Sequence, residues 1–339
     1  MITPKAFGCI IKHFDEIDKV VSSRMTRKRP WSEPSLTSLL CDMLDEETQA
    51  DGKINYTFEQ LQNDLKSEDG LFGVNLYIET IEFNPAHERY ISQSDIGLRL
   101  VFDNKIEPSL SWTRPYLLQA KRLFPKSITP LTYPESSGFT SFDKNQKARI
   151  DLMNKLLGDN YLKYLLFCPR PDGVDDDTKV KLAYLRNTTL SKQIFDFTSG
   201  LEIYKELVTG AETLKAGIFL IDTDNANPSF GQVHAGILNS TFPLGWFIAM
   251  NFSDNDRFLQ QQRLVEKNSR TSSNFDSNKL VNGILTGDEK EVNELVKRIK
   301  EISNETFPDN IQLLPKHTIT IRVSVGEQIN PDNRRIKSQ

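Results

Sequence analysis

The chain has 339 residues, 38% of them hydrophobic and 26% charged, enough for one large domain or two small ones with a globular core, which counts against a disordered chain. Its three cysteines, Cys9, Cys41 and Cys168, lie far apart, which excludes a disulfide framework and a cysteine-paired zinc site. A net charge of −4 excludes a uniformly basic nucleic-acid binder and leaves room for a local basic patch.

No apolar run reaches the roughly 18 residues of a membrane span, and no basic segment leads into an apolar core and a cleavage site. The expectation is a cytoplasmic protein with no membrane partner.

Residues 4–22 carry Phe7, Ile10, Ile11, Phe14, Ile17, Val20 and Val21 at helical spacing and predict an amphipathic helix. Arg24, Arg27, Lys28 and Arg29 follow as a basic cluster ending at Pro30. It reads either as a solvated turn or as an arm that contacts phosphates. Ser32 or Ser35 caps a helix running to about Asp45, with Leu36, Leu39, Leu40 and Met43 as its buried stripe. Glu33 falls in the first turn, where the helix dipole favours a carboxylate. A further helix is predicted over 57–66. Residues 76–83 alternate as a first strand, and 84–93 form a polar connector.

The most informative stretch is 94–121. Leu98, Leu100 and Phe102 share one face of a predicted strand. After a turn-rich interval, Tyr116, Leu118 and Ala120 share one face of the next strand, and Leu117, Gln119 and Lys121 share the other. If the two strands pair, Asp95, Gln119 and Lys121 converge. Downstream, 146–157 predicts a helix and 162–168 a buried strand. The acidic run 172–177 reads as a helix start or a solvated turn, and Asp222-Thr-Asp224 as a turn after a short strand. Residues 242–252 form another buried segment, and 253–279 a polar loop or linker. Residues 288–302 predict a helix, and His317–Val325 an antiparallel or edge strand. No phosphate-binding glycine loop is present. His13, His87, His234 and His317 show no zinc spacing, and His234 reads more readily as a hydrogen-bonded structural histidine than as a catalytic one.

The ordered set of a helix-start Glu33, a strand Asp95 and Gln119-Ala120-Lys121 resembles the PD-(D/E)xK nuclease superfamily, in the Q-x-K variant found in Mrr-like restriction enzymes. The run Gln119-Ala-Lys-Arg-Leu123 is similar to that of a group of bacterial proteins with the same helix and strands. The likeness covers roughly 31–169, with a weaker continuation to Trp246. Ser94 stands where the superfamily's proline would be.

The resemblance implies an α/β, restriction-endonuclease-like core: a mixed central sheet flanked by helices, with a C-terminal α/β extension. It divides the chain into 1–30, a helix and basic arm; 31–170, the nuclease core; 171–252, an extension packed on it; and 253–339, a linker, helix and terminal strand. It implies Mg2+ or Mn2+ held by Asp95, Gln119, the Ala120 carbonyl and Glu33, with Lys121 beside the attacking water. Hard cations keep several waters, so few protein carboxylates suffice. The implied activity is metal-dependent phosphodiester hydrolysis, with DNA as the substrate, in bacterial anti-phage defence. RNA cleavage and a non-catalytic binding or scaffold role on the same fold stay open. An activating partner protein and a homodimer belong to the same expectation. Residues beyond about 171 carry no motif.

Overall fold

The computed structural model describes residues 2–49, 54–68, 73–82, 94–139, 144–158, 161–224, 227–253, 277–303 and 315–326. The connector 84–93 and most of the polar stretch 253–279 lie outside these residues. Among the described residues, alternating and continuous apolar runs build seven strands into one sheet. They are β1 (Val74–Glu82), β2 (Ile96–Asn104), β3 (Trp112–Arg122), β6 (Leu162–Phe167), β7 (Ile218–Asp222), β8 (Thr241–Pro243) and β9 (His317–Val325). A short hairpin, β4 (Ser127–Ile128) and β5 (Leu131–Thr132), stands apart.

The spatial order is β1-β9-β2-β3-β6-β7-β8. β9 runs antiparallel to β1 and parallel to β2. β3 is antiparallel to β2 and parallel to β6, and β6, β7 and β8 alternate in direction. The fold is therefore α/β with a mixed central sheet. An edge position for His317–Val325 is not what forms. β9 lies inside the sheet, bonded on both sides, because Ile319, Ile321 and Val323 are as buried as any core strand residue.

Among the described residues ten helices surround the sheet: α1 (Pro4–Ser22), α2 (Glu33–Leu44), α3 (Phe58–Glu68), α4 (Lys144–Leu157), α5 (Asp176–Leu190), α6 (Phe197–Thr209), α7 (Phe230–Ala235), α8 (Leu244–Phe252), α9 (Ser277–Thr286) and α10 (Glu289–Ser303). Capping decides several starts. Ser32 accepts from Ser35 N at the head of α2, and Asp175 accepts from Thr178 N at the head of α5. The acidic run 172–177 is thus a helix start. The apolar run 242–252 is mostly α8, buried all round, which is why its periodicity is silent.

The two sheet faces have different covers. Thr80 bonds Asp45 at the end of α2, and Tyr116 bonds Asn251 of α8, so α2 and α8 share the face of Leu98 and Leu100. Arg99 bonds Asn282 of α9 on the opposite face. Helix α1 packs beneath α2, α3, α6 and α8. Among the described residues no helix is long and apolar enough to cross a membrane.

Candidate functional site

The candidate site exists because β3 outruns β2. Ile96 stands opposite Leu118, and β3 continues to Arg122. Backbone N–H groups alternate sides along a strand. Those of Leu117 and Leu123 point to β6 and its flank, reaching Tyr161 O at 2.7 Å and Phe167 O at 2.9 Å. The N–H groups of Ala120 and Arg122 point the other way, past the start of β2, where no strand receives them. Buried backbone donors need acceptors, and two carboxylates supply them. Asp95 Oδ2 accepts from Ala120 N at 2.7 Å, and Glu33 Oε2 accepts from Arg122 N at 3.1 Å.

Two of the four expected side chains thus sit side by side on one strand edge. The N–H groups they bind lie about 7 Å apart. Asp95 is fixed at the turn into β2, where its own N–H donates to Leu118 O at 2.8 Å and its carbonyl accepts from His317 N at 3.3 Å. Glu33 is fixed as the first residue of α2.

Gln119 completes the group. Its Nε2 donates to Asp95 Oδ2 at 2.5 Å and lies 3.4 Å from the Ala120 carbonyl. The amide therefore bridges the two oxygens that the resemblance names as ligands. A half-turn of that amide exchanges its nitrogen for its oxygen. Lys121 projects to the face opposite Ala120 and is only 2% exposed. The strand-face lysine expected from the sequence is a fully buried one, because β3 is a central strand with both faces covered.

The basic arm adjoins this notch. Trp31 N donates to Arg24 O at 3.3 Å, closing a loop that carries Arg27, Lys28 and Arg29 exposed at its tip. Met25 is buried inside the loop, and its carbonyl accepts from Tyr133 Oη at 2.9 Å. The guanidinium groups of Arg24 and Arg27 lie 5.2 and 5.7 Å from the Trp31 ring. Arg122 Nη1 donates to Trp31 O at 2.9 Å and ties the loop to β3 beside Glu33. Trp31 and Arg122 are the residues whose part the sequence reading missed. Their adjacency to the basic cluster and to Lys121 was the only available signal.

Among the described residues no group of three or more His, Cys, Asp or Glu is placed to hold a metal. The notch offers two carboxylates and a carbonyl, with the Gln119 amide presenting its nitrogen to them; turning that amide would give the all-oxygen set that a hard cation keeping its waters prefers. A separate cleft of about 650 Å3 at the far end of β1, β9 and β2 is lined by Glu79 with Asp45, Asp103, Lys105 and Arg322. His234 is also elsewhere. It is buried between Phe219 and Phe230, and its ring nitrogens have no hydrogen-bond partner among the described residues, so the bonded structural histidine is not what forms.

In comparisons with known proteins, no family model matches the chain, and no curated protein or solved structure matches it.

Proposed function

We propose that the chain is a metal-dependent nuclease of restriction-endonuclease-like fold that hydrolyses phosphodiester bonds, with DNA as substrate, as an effector of bacterial anti-phage defence. One observation carries the reading. Asp95, Gln119 and Glu33 meet on the β3 edge on either side of the Lys121 position, with a loop of exposed cations next to them. Asp95, Glu33, the Gln119 amide and the Ala120 carbonyl would hold Mg2+ or Mn2+. A bound cation of this kind neutralises phosphoryl charge and activates water. Lys121 Nζ, 2% exposed, would donate to the attacking oxygen or to a phosphoryl oxygen of a substrate whose entry uncovers it, and so stabilise charge as it develops. Arg27, Lys28 and Arg29 hold the backbone of the substrate.

A second reading is a binding or scaffold protein on the same fold. What favours it is that both carboxylates already serve the fold, as acceptors for two strand N–H groups. Cleavage of plasmid, single-stranded DNA and RNA with Mg2+ or Mn2+ separates the two. The expected result is metal-dependent cleavage by the wild type that falls at least 100-fold in Asp95→Ala and Lys121→Ala. Because Lys121 is buried, Lys121→Met serves as the volume-preserving control, with melting temperature confirming the fold. Equal turnover in wild type and Lys121→Met would sink the nuclease assignment. Metal binding by calorimetry, present in wild type and lost in Asp95→Ala, tests the donor set without reference to turnover.

A further inference from the structure

Helix α6 buries polar groups and displays apolar ones. Its inward face carries Ser199, Ile203 and Glu206. The Glu206 carboxylate accepts from Thr213 Oγ1 at 2.6 Å and Leu214 N at 3.4 Å. Outward stand Phe197, Tyr204, Leu207 and Val208, with Ile194 just ahead of the helix. Phe197 is 80% exposed and Ile194 75%. A single exposed apolar side chain needs no explanation, but five in this short segment do.

The stripe has the spacing of a helix seam. Phe197, Leu201, Tyr204 and Val208 recur at four, three and four residues. Gly200 lies beside them, and a methyl group there would touch only Phe195 at 3.8 Å, so another helix can approach closely. The helix is firmly seated on its inner side. Asp196 caps it, accepting from Thr198 N and Ser199 N, and Glu202 packs directly on Gly8 of α1. The stripe is therefore presented on a fixed support.

We propose that this stripe is a homodimer interface, in which α6 packs against α6 of a second copy about a two-fold axis. Area and charge both point to a second copy. The five side chains expose on the order of 700 Å2, close to the roughly 800 Å2 each partner contributes to a standard interface. The charges nearby are already committed: Lys205 pairs with Glu202 at 2.5 Å, Asp196 is a cap and Glu206 is buried. A nucleic acid would need free cations on this face, and a charged peptide an opposite field. An apolar, locally neutral stripe complements itself, as a two-fold interface requires.

Sedimentation and light scattering on the full chain test this without involving catalysis, so the outcome is independent of the nuclease reading. The wild type is expected at about twice the 38.8 kDa of one chain. Tyr204→Glu sets like charges against each other near the axis. Phe197→Glu adds an acid at the helix start, where the dipole favours it, so the helix itself is not weakened. Each is expected to raise the dimer dissociation constant about 30-fold or more, with an unchanged melting profile of the monomer. Should the charged variants fail to fold, Leu207→Ala with Val208→Ala reads the same face, and a tenfold weakening supports it. A wild type that stays monomeric across the concentration series overturns the proposal. So does a dimer whose affinity none of these substitutions alters.

Discussion

His234 is packed edge-on against Phe219 and Phe230, with ring centroids 5.4 and 5.2 Å away. Burial lowers its pKa to about 3, with Arg186 adding to the effect. The unfolded ring takes up a proton below about pH 6.5, while the folded ring stays neutral until about 3. The unfolded state therefore binds more protons as pH falls through that window, and stability is lost. His234→Phe removes this proton uptake and two buried polar atoms while keeping the ring packing. The acid destabilisation between pH 7 and pH 5 is expected to shrink by about 2 kcal/mol, read from urea midpoints at the two values. At neutral pH the variant is expected to be as stable as wild type or more so, since an unpartnered polar group has been replaced by an apolar one. His13 titrates in the same direction, lowered to about 4 by burial despite its contact with Tyr56 O, so wild-type acid sensitivity does not vanish in the variant. Residue identities at the candidate site were legible early, because Glu33, Asp95, Gln119 and Lys121 are polar residues at element starts or within apolar runs. That Lys121 is buried was not legible, since a single strand does not say how many neighbours cover it.

At the scale of elements, α1 is joined to the sheet by charge as well as by its apolar stripe. Asp18, buried at 3% exposure, accepts from Gly217 N at 3.0 Å and Ile218 N at 2.6 Å at the start of β7. Arg170, just beyond β6, donates to Asp15 and Asp18, each at 2.8 Å, and to Glu212 O at 2.7 Å. Burial pushes the Asp18 carboxyl up even though Arg170 pulls it down. Arg170→Met leaves buried Asp18 without its cation, while Asp15 keeps Lys19 at 3.0 Å, and is expected to cost about 3–5 kcal/mol in chemical denaturation. An unchanged midpoint would mean that water replaces the guanidinium. The basic arm gives the complementary surface case. Arg27, Lys28 and Arg29 are exposed, so neutralising all three leaves the fold alone. If they contact phosphates, the slope of log affinity for duplex DNA against log salt drops by roughly 3. An unaltered slope would make the arm a turn only. Elements with one apolar stripe, such as α1 and α2, were read correctly from sequence. Helices α5 and α6 were not, because Val180, Tyr184, Phe197 and Tyr204 face outward and blur the inward pattern.

Across the whole molecule, one sheet takes strands from residue 74 to residue 325. The last strand is in its interior, paired with β1 along Val74–Val325 to Glu82–His317 and with β2 along Ile96–His317 to Asn104–Val325. A chain ending at Lys316 would leave β1 without its partner strand, open the β9 side of β2 while its pairing with β3 remains, and strip Ile319, Ile321 and Val323 from the core. It is expected to lose cooperative unfolding and bind hydrophobic dye, in contrast to a chain ending at Gly326. Cooperative melting of the shorter chain would show that β9 is an addition to the fold. The sequence by itself determined the strands and helices whose side chains repeat with a clean period, and the polar residue types at 33, 95, 119 and 121. Local periodicity encodes which face of an element is apolar, and that information lies within a few residues. Only the tertiary structure decided that β9 enters between β1 and β2, that β3 outruns β2, and that two carboxylates meet the N–H groups left over. Strand order and register depend on pairings between residues more than two hundred positions apart, which no local pattern specifies.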